Sequence, residues 1–137
     1  MELLVLVIVV VMLCSAVAVL LLAKRRGTPV SLLPGLLPAR FTASDRLQNF
    51  PTELSRQRID HLAGDRKRFE TEFPGLGEVV DLDTTDGLRI TLRNDEIVHL
   101  RPSGNAPELR CYTEADSADR AARLNAECLA LIDNWRR

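Results

Sequence analysis

Residues 3–23 hold 20 apolar residues out of 21, with Ser15 the single exception. At 1.5 Å per residue such a run reaches about 31 Å as a helix, the thickness of a bilayer's hydrocarbon core. Lipid offers the backbone no water, so the run crosses as a helix even through its β-branched stretch at 5–11. Lys24, Arg25 and Arg26 follow at once, while the other end carries only the start amine and Glu2. The positive-inside rule then puts the remainder of the chain in the cytoplasm. A cleaved signal peptide fits less well, because the charges follow the apolar run instead of preceding it. The competing reading is a buried helix of a soluble protein, although such helices seldom run this long without a polar face. Residues 1–26 are expected to be a single-pass anchor that meets the lipid bilayer through residues 3–23.

The other 111 residues are of another kind. The net charge of the 137-residue chain is −1. Glu2 against Lys24, Arg25 and Arg26 gives residues 1–26 a balance of +2, so the rest carry −3. A nucleic-acid binder would show a basic surplus, and none is present, so no nucleic-acid partner is expected. The length suits one small domain, not a multidomain enzyme. Cys14, Cys111 and Cys128 are odd in number, widely spaced and form no CxxC pair. With only His61 and His99 to help, neither a disulfide framework nor a zinc site is expected.

Gly27-Thr28-Pro29 should end the first helix, and Pro34, Gly35 and Pro38 keep residues 31–38 from forming a long one. Residues 39–47 alternate loosely, as a short strand would. Pro51-Thr52-Glu53 reads as a helix start with Thr52 as N-cap, Leu54, Ile59 and Leu62 as a weak apolar face, and Gly64 as a stop. Residues 65–73 follow as a second short helix, broken by Pro74-Gly75. The pattern then changes to period two, with strands over 78–82, 88–93, 96–101 and 108–114. A turn at 83–87 and a tight one at Asn94-Asp95 separate the first three. Asp116 or Ser117 caps a last helix whose stripe is Ala121, Leu124, Cys128, Leu131 and Trp135. The expected fold is α+β, a small antiparallel sheet with helices packed on one face, preceded by a single apolar helix of transmembrane type. The segments divide as 1–26, the anchor; 27–52, a linker leading into the domain; and 53–137, the domain itself.

One segment carries chemistry: Arg101-Pro102-Ser103-Gly104-Asn105-Ala106-Pro107, with Arg110 on the next strand. Two prolines stiffen a turn that Gly104 lets bend sharply. Such a turn can aim the N–H groups of residues 103–106 at an anion. Ser103 and Asn105 add side-chain donors, and Arg101 and Arg110 add forked, charged ones matched to phosphate oxygens. Each charged hydrogen bond is worth about 1.5–3 kcal/mol net, so two or three hold a phosphate at roughly millimolar strength. The bland alternative is an ordinary hairpin loop with a solvated arginine.

The stretch DGLRITLRNDEIVHLRPSGNAPELRCYTEADSADRA, residues 86–121, resembles the C-terminal domain of the α-D-phosphohexomutases, particularly bacterial phosphomannomutases. Residues 37–53, LPARFTASDRLQNFPTE, resemble the segment that opens that domain in one phosphomannomutase branch. In the family the loop usually reads R-P-S-G-T-E-P and binds the phosphate of the sugar substrate. The resemblance thus implies Arg101, Ser103, Gly104 and Asn105 as phosphate contacts, with Arg110 beyond the core motif. Asn105 stands where Thr is usual and Ala106 where Glu is usual. Asn still donates to a phosphate, while losing Glu alters sugar-hydroxyl or loop contacts. The implied ligands are hexose phosphates such as mannose 1-phosphate or mannose 6-phosphate. The implied fold is a TATA-binding-protein-like domain, the fourth of four, that closes over the active site.

The family's first domain carries a phosphoserine in a T-A-S-H-N-P-type loop, and its second a D-G-D-x-D-R metal loop. Thr42-Ala43-Ser44-Asp45 imitates only the opening of the first, so Ser44 reads as a turn or capping residue. The turn at 83–87 is too sparse in carboxylates for the second. No cofactor is expected in this chain, although the complete family enzyme uses Mg2+. Without a phosphoryl donor or metal, positioning a phosphate does not transfer it, so no mutase activity is expected of the chain by itself. It would need a partner supplying the other mutase domains. Residues 18–33 also resemble the helix and link joining domains three and four of that branch. This leaves a second expectation: a vestigial or structural product of a truncated gene, cytoplasmic if the apolar helix is an artefact of truncation.

Overall fold

A computed structural model describes residues 2–136 and divides into two compact units between Ala39 and Arg40. In the first unit, helix α1 (Glu2–Arg26) leads to a short 3-10 helix over Val30–Leu36. Apart from Ala23, the described apolar side chains of α1 are exposed, and Leu3–Arg26 is long and apolar enough to cross a membrane. Its one hydroxyl, Ser15 Oγ, donates to the Val11 carbonyl at 2.9 Å and so is satisfied within the helix. Gly27, at φ +59°, ends α1: its N–H reaches the Lys24 carbonyl and that of Thr28 reaches Ala23. This left-handed cap suits a glycine.

The second unit holds β1 (Phe41–Gln48), α2 (Thr52–Ala63), α3 (Arg66–Glu72), β2 (Val79–Asp83), β3 (Leu88–Leu92), β4 (Ile97–Pro102), β5 (Glu108–Ala115) and α4 (Ala118–Asp133). Its five strands form one antiparallel sheet in the order β1-β5-β4-β3-β2. Alternation assigns the faces. Leu109, Cys111, Thr113 and Ala115 of β5 are buried while Glu108, Arg110, Tyr112 and Glu114 are half-exposed. Leu88, Ile90 and Leu92 of β3 and Val98 and Leu100 of β4 join the buried set with Phe69, Leu62, Leu124 and Ile132 from the helices. The fold is therefore α+β, with helices against one face and the other face open.

β1 pairs with β5 along its whole length, from Phe41 opposite Ala115 to Gln48 opposite Glu108. The compact unit consequently opens at Arg40, within the stretch 27–52 expected to hold the linker and the entry to the domain. Ser44 lies in the middle of this strand, not at a turn or cap. Thr52 is the first residue of α2 and not its cap; Pro51 precedes it, and both N–H and Oγ of Ser55 donate to the Pro51 carbonyl. The last helix is capped by Ser117, whose Oγ accepts from the Arg120 N–H.

The stripe on α4 departs from expectation in its final turns. Ile132 is fully buried, whereas Leu131 is half-buried. A strict 3-4-3-4 spacing advances 3.5 residues per turn and drifts off a straight helix of 3.6. Ile132, 11 residues beyond Ala121, returns to the core-facing side. Asn125 is buried as well, donating to the Cys111 carbonyl at 2.9 Å. Trp135 closes the core edge, meeting Phe73 edge-on at 5.8 Å, while Phe73 stacks on Phe69 at 4.3 Å.

Candidate functional site

The open face of the sheet positions the charged residues. Arg101 on β4 stands directly opposite Arg110 on β5, and directly opposed residues share a face. Both guanidinium groups therefore rise from the side away from the core, at the end of the hairpin where residues 103–107 make the turn. Ser103, Gly104 and Asn105 lie in that turn. All five residues expected to meet a phosphate are thus gathered at one end of the β4–β5 hairpin.

Arg101 is about half-exposed, and its Nε lies 3.0 Å from Asp86 Oδ1 in the β2–β3 turn. A solvated pair of this kind is worth about 0–1 kcal/mol, so Arg101 is released to a stronger acceptor at little cost. Arg110 is half-buried and, among the described residues, has no carboxylate partner. His99, two residues before Arg101 on the same face, bonds the Asp86 carbonyl through Nε2 and tilts against Tyr112 at 5.8 Å. Asp86 thereby ties both side chains to the neighbouring turn.

The backbone of the turn corrects the expected anion nest. Ser103 N–H donates to the Glu108 carbonyl at 2.9 Å, and Asn105 N–H reaches Ser103 Oγ at 3.4 Å. None of residues 103–107 has a positive φ, which an alternating nest requires. The hairpin closes on itself by pairing Ser103 with Glu108, and that pairing consumes the amide. Gly104 and Ala106 keep N–H groups without internal partners among the described residues. A Cβ at Gly104 would meet nothing within 4 Å, so the space above it is open to a ligand. Ser103 is almost fully buried, whereas Asn105 is exposed.

The family described as phosphoglucomutase/phosphomannomutase, C-terminal domain, matches residues 53–131. The chain belongs to this family. Phosphomannomutase of Salmonella muenchen is 43% identical over 117 residues, 84% of this chain and 24% of that protein. Phosphomannomutase of Sinorhizobium fredii is 37% identical over 118 residues, 86% of this chain and 25% of that one. A solved phosphoglucomutase/phosphomannomutase family protein from Burkholderia thailandensis aligns at TM-score 0.49 with 27% identity, over 80% of this chain and 20% of its own. The chain spans about a quarter of the length of these curated relatives. The matched residues of this phosphoglucomutase/phosphomannomutase domain begin at 53, so β1 lies outside them although it belongs to the sheet.

No three His, Cys, Asp or Glu side chains cluster to hold a metal ion among the described residues. Two residues of the open face escaped the motif-based reading of this mutase-family domain. Asp86, the partner of Arg101, looked like a turn residue. Arg46 on β1 stands directly opposite Arg110. Only the pairing of strands far apart in sequence brings it there, and no local pattern announces that.

Proposed function

We propose that this chain is a sugar-phosphate-binding domain held at the inner face of a membrane by α1. The observation that carries the reading is the pairing of Arg101 and Arg110 abreast on an open sheet face, beside the open space over Gly104, in a member of this family. Two forked cations at one hairpin end match the oxygens of a single phosphate. The ligand is a hexose phosphate, mannose 1-phosphate or mannose 6-phosphate, in keeping with the names of the relatives. The sheet-and-helix layer acts as a TATA-binding-protein-like lid that closes over the sugar. Phosphoryl transfer then requires phosphoserine and Mg2+-binding domains beside this one. The uniformly apolar surface of α1, with Lys24, Arg25 and Arg26 in its last turn, supports the anchor and its orientation.

A second reading, a structural product without affinity for sugar phosphates, is favoured by the two turn amides already engaged within the hairpin. Flotation of the full chain with liposomes, followed by binding of labelled mannose 1-phosphate to the floated fraction, separates the two. The chain should float after an alkaline wash and bind the sugar phosphate. Arg110→Ala should float equally and bind about tenfold more weakly, the effect of losing about 1.4 kcal/mol. Floated protein with no saturable binding would leave the structural reading standing. A chain left at the bottom of the gradient would remove the anchor.

A further inference from the structure

The open face carries two arginines beyond those of the hairpin turn: Arg89 on β3, paired with Glu114 at 3.3 Å, and Arg46 on β1. Arg46 stands directly opposite Arg110, which stands directly opposite Arg101, so three guanidinium groups lie abreast over β1, β5 and β4. Opposed side chains in antiparallel strands have Cβ atoms about 4.5–5.5 Å apart, and like charges so placed repel. The balancing carboxylates sit at the flanks: Glu108 is 3.6 Å from Arg46, and Asp86 is 3.0 Å from Arg101. Arg110, in the centre, has none among the described residues. In the neighbouring row Ser44 stands directly opposite Tyr112. Ser44, Asp45, Arg46, Arg110 and Tyr112 line a hollow of about 410 Å³ over β1 and β5. That volume falls within the range of small-ligand sites. The Asp45 carboxylate that also lines it accepts from the Arg46 backbone N–H at 2.8 Å, and among the described residues it forms no ion pair with Arg110.

We infer that this hollow is a second oxyanion site, in which a phosphate group is held between Arg46 and Arg110 with the Ser44 and Tyr112 hydroxyls as neutral donors. The site shares Arg110 with the hairpin turn and depends on the proposed function through that residue alone. An anion between the two guanidinium groups replaces their repulsion by two charge-assisted contacts. The chemistry is that of a phosphate dianion, free or as the ester of a sugar.

The full chain in detergent micelles, at constant ionic strength, is titrated with inorganic phosphate and separately with mannose 6-phosphate. The readouts are the Arg46 Nε–Hε resonance and the backbone amides of Ser44 and Tyr112, beside those of Ser103 and Asn105. Saturable shifts are expected at Arg46, Ser44 and Tyr112. Equal affinity for the two ligands identifies bare phosphate as the recognised group, and tighter binding of the ester identifies the sugar phosphate. Arg46→Gln, a change at a half-exposed side chain, should weaken the Ser44 and Tyr112 response about tenfold and leave the turn response in place. Absence of saturation at Arg46, Ser44 and Tyr112 up to roughly tens of millimolar ligand would overturn the second site, as would an unchanged response in Arg46→Gln. If the turn shifts in that case, the proposed function still holds. A response at Arg46 with a silent turn contradicts the turn and supports the second site.

Discussion

Gly87→Ala should lower the stability of the sheet unit by about 3 kcal/mol and its melting temperature by roughly 12–24 °C. Two causes add at this position. The backbone there is left-handed, at φ +81°, where any side chain is strained. A Cβ would also lie 2.3 Å from the Leu100 carbonyl oxygen and 3.2 Å from Arg101 Cα. Both obstacles are backbone atoms, so no rotamer change relieves them. The displacement falls on β4 beside Arg101 and on the turn that holds Asp86, so the proposed phosphate binding should weaken with stability. Gly104→Ala is the matched control: its Cβ meets nothing within 4 Å and its φ is not left-handed. It should change stability by less than about 0.5 kcal/mol. Thermal and urea unfolding of both variants checks the pair, and equal stabilities would contradict the described β2–β3 turn.

Arg120→Met should cost about 3 kcal/mol, for a different reason. Arg120 on α4 grips Glu96 at the start of β4 with two bonds, Nε to Oε1 at 2.6 Å and Nη2 to Oε2 at 2.8 Å. The Glu96 side chain is only 9% exposed, so removing its partner strands a carboxylate away from water. The bond to Arg120 holds the Glu96 pKa below its ordinary 4.5, against the opposing effect of burial. A carboxylate whose pKa falls on folding contributes stability that is complete above the unfolded value and is lost as pH falls through the folded one. The gap between wild type and Arg120→Met should therefore be full at neutral pH and close as pH drops below about 4.5. Urea midpoints measured from pH 7 to pH 3 check this, and a gap independent of pH would contradict the role given to the pair.

Much of this fold was legible in the sequence because its signals are local. The period-two runs of β3 and β4 announce which residues face the core, and Leu88, Ile90, Val98 and Leu100 are all fully buried. Gly64 and Pro74-Gly75 mark where α2 and α3 stop. The apolar run could be read as a helix from its composition alone. Less legible was whatever depends on distant pairing. β1 is 60 residues or more from β5, so nothing near Arg46 reveals that it sits opposite Arg110. The hydrogen bond between Ser103 N–H and the Glu108 carbonyl follows from hairpin register, and it removed a donor that the motif alone seemed to offer. Asn125 was unread for a similar reason: a polar residue on a helix looks solvated until a strand carbonyl lies against it. At the candidate site, the residue types were readable and the number of free donors was not.

We propose that the turn after Arg101 receives the phosphate of a hexose phosphate. The most direct test is a titration of the full chain in detergent micelles with mannose 1-phosphate, following backbone amides by NMR beside Arg101→Ala. Saturable shifts are expected to be largest at Gly104 and Ala106, whose N–H groups have no internal partner among the described residues, and smaller at Ser103, whose N–H is engaged. Those shifts should be lost in Arg101→Ala while the rest of the spectrum keeps the wild-type fold. A folded chain whose turn resonances stay fixed at roughly tens of millimolar ligand would contradict it.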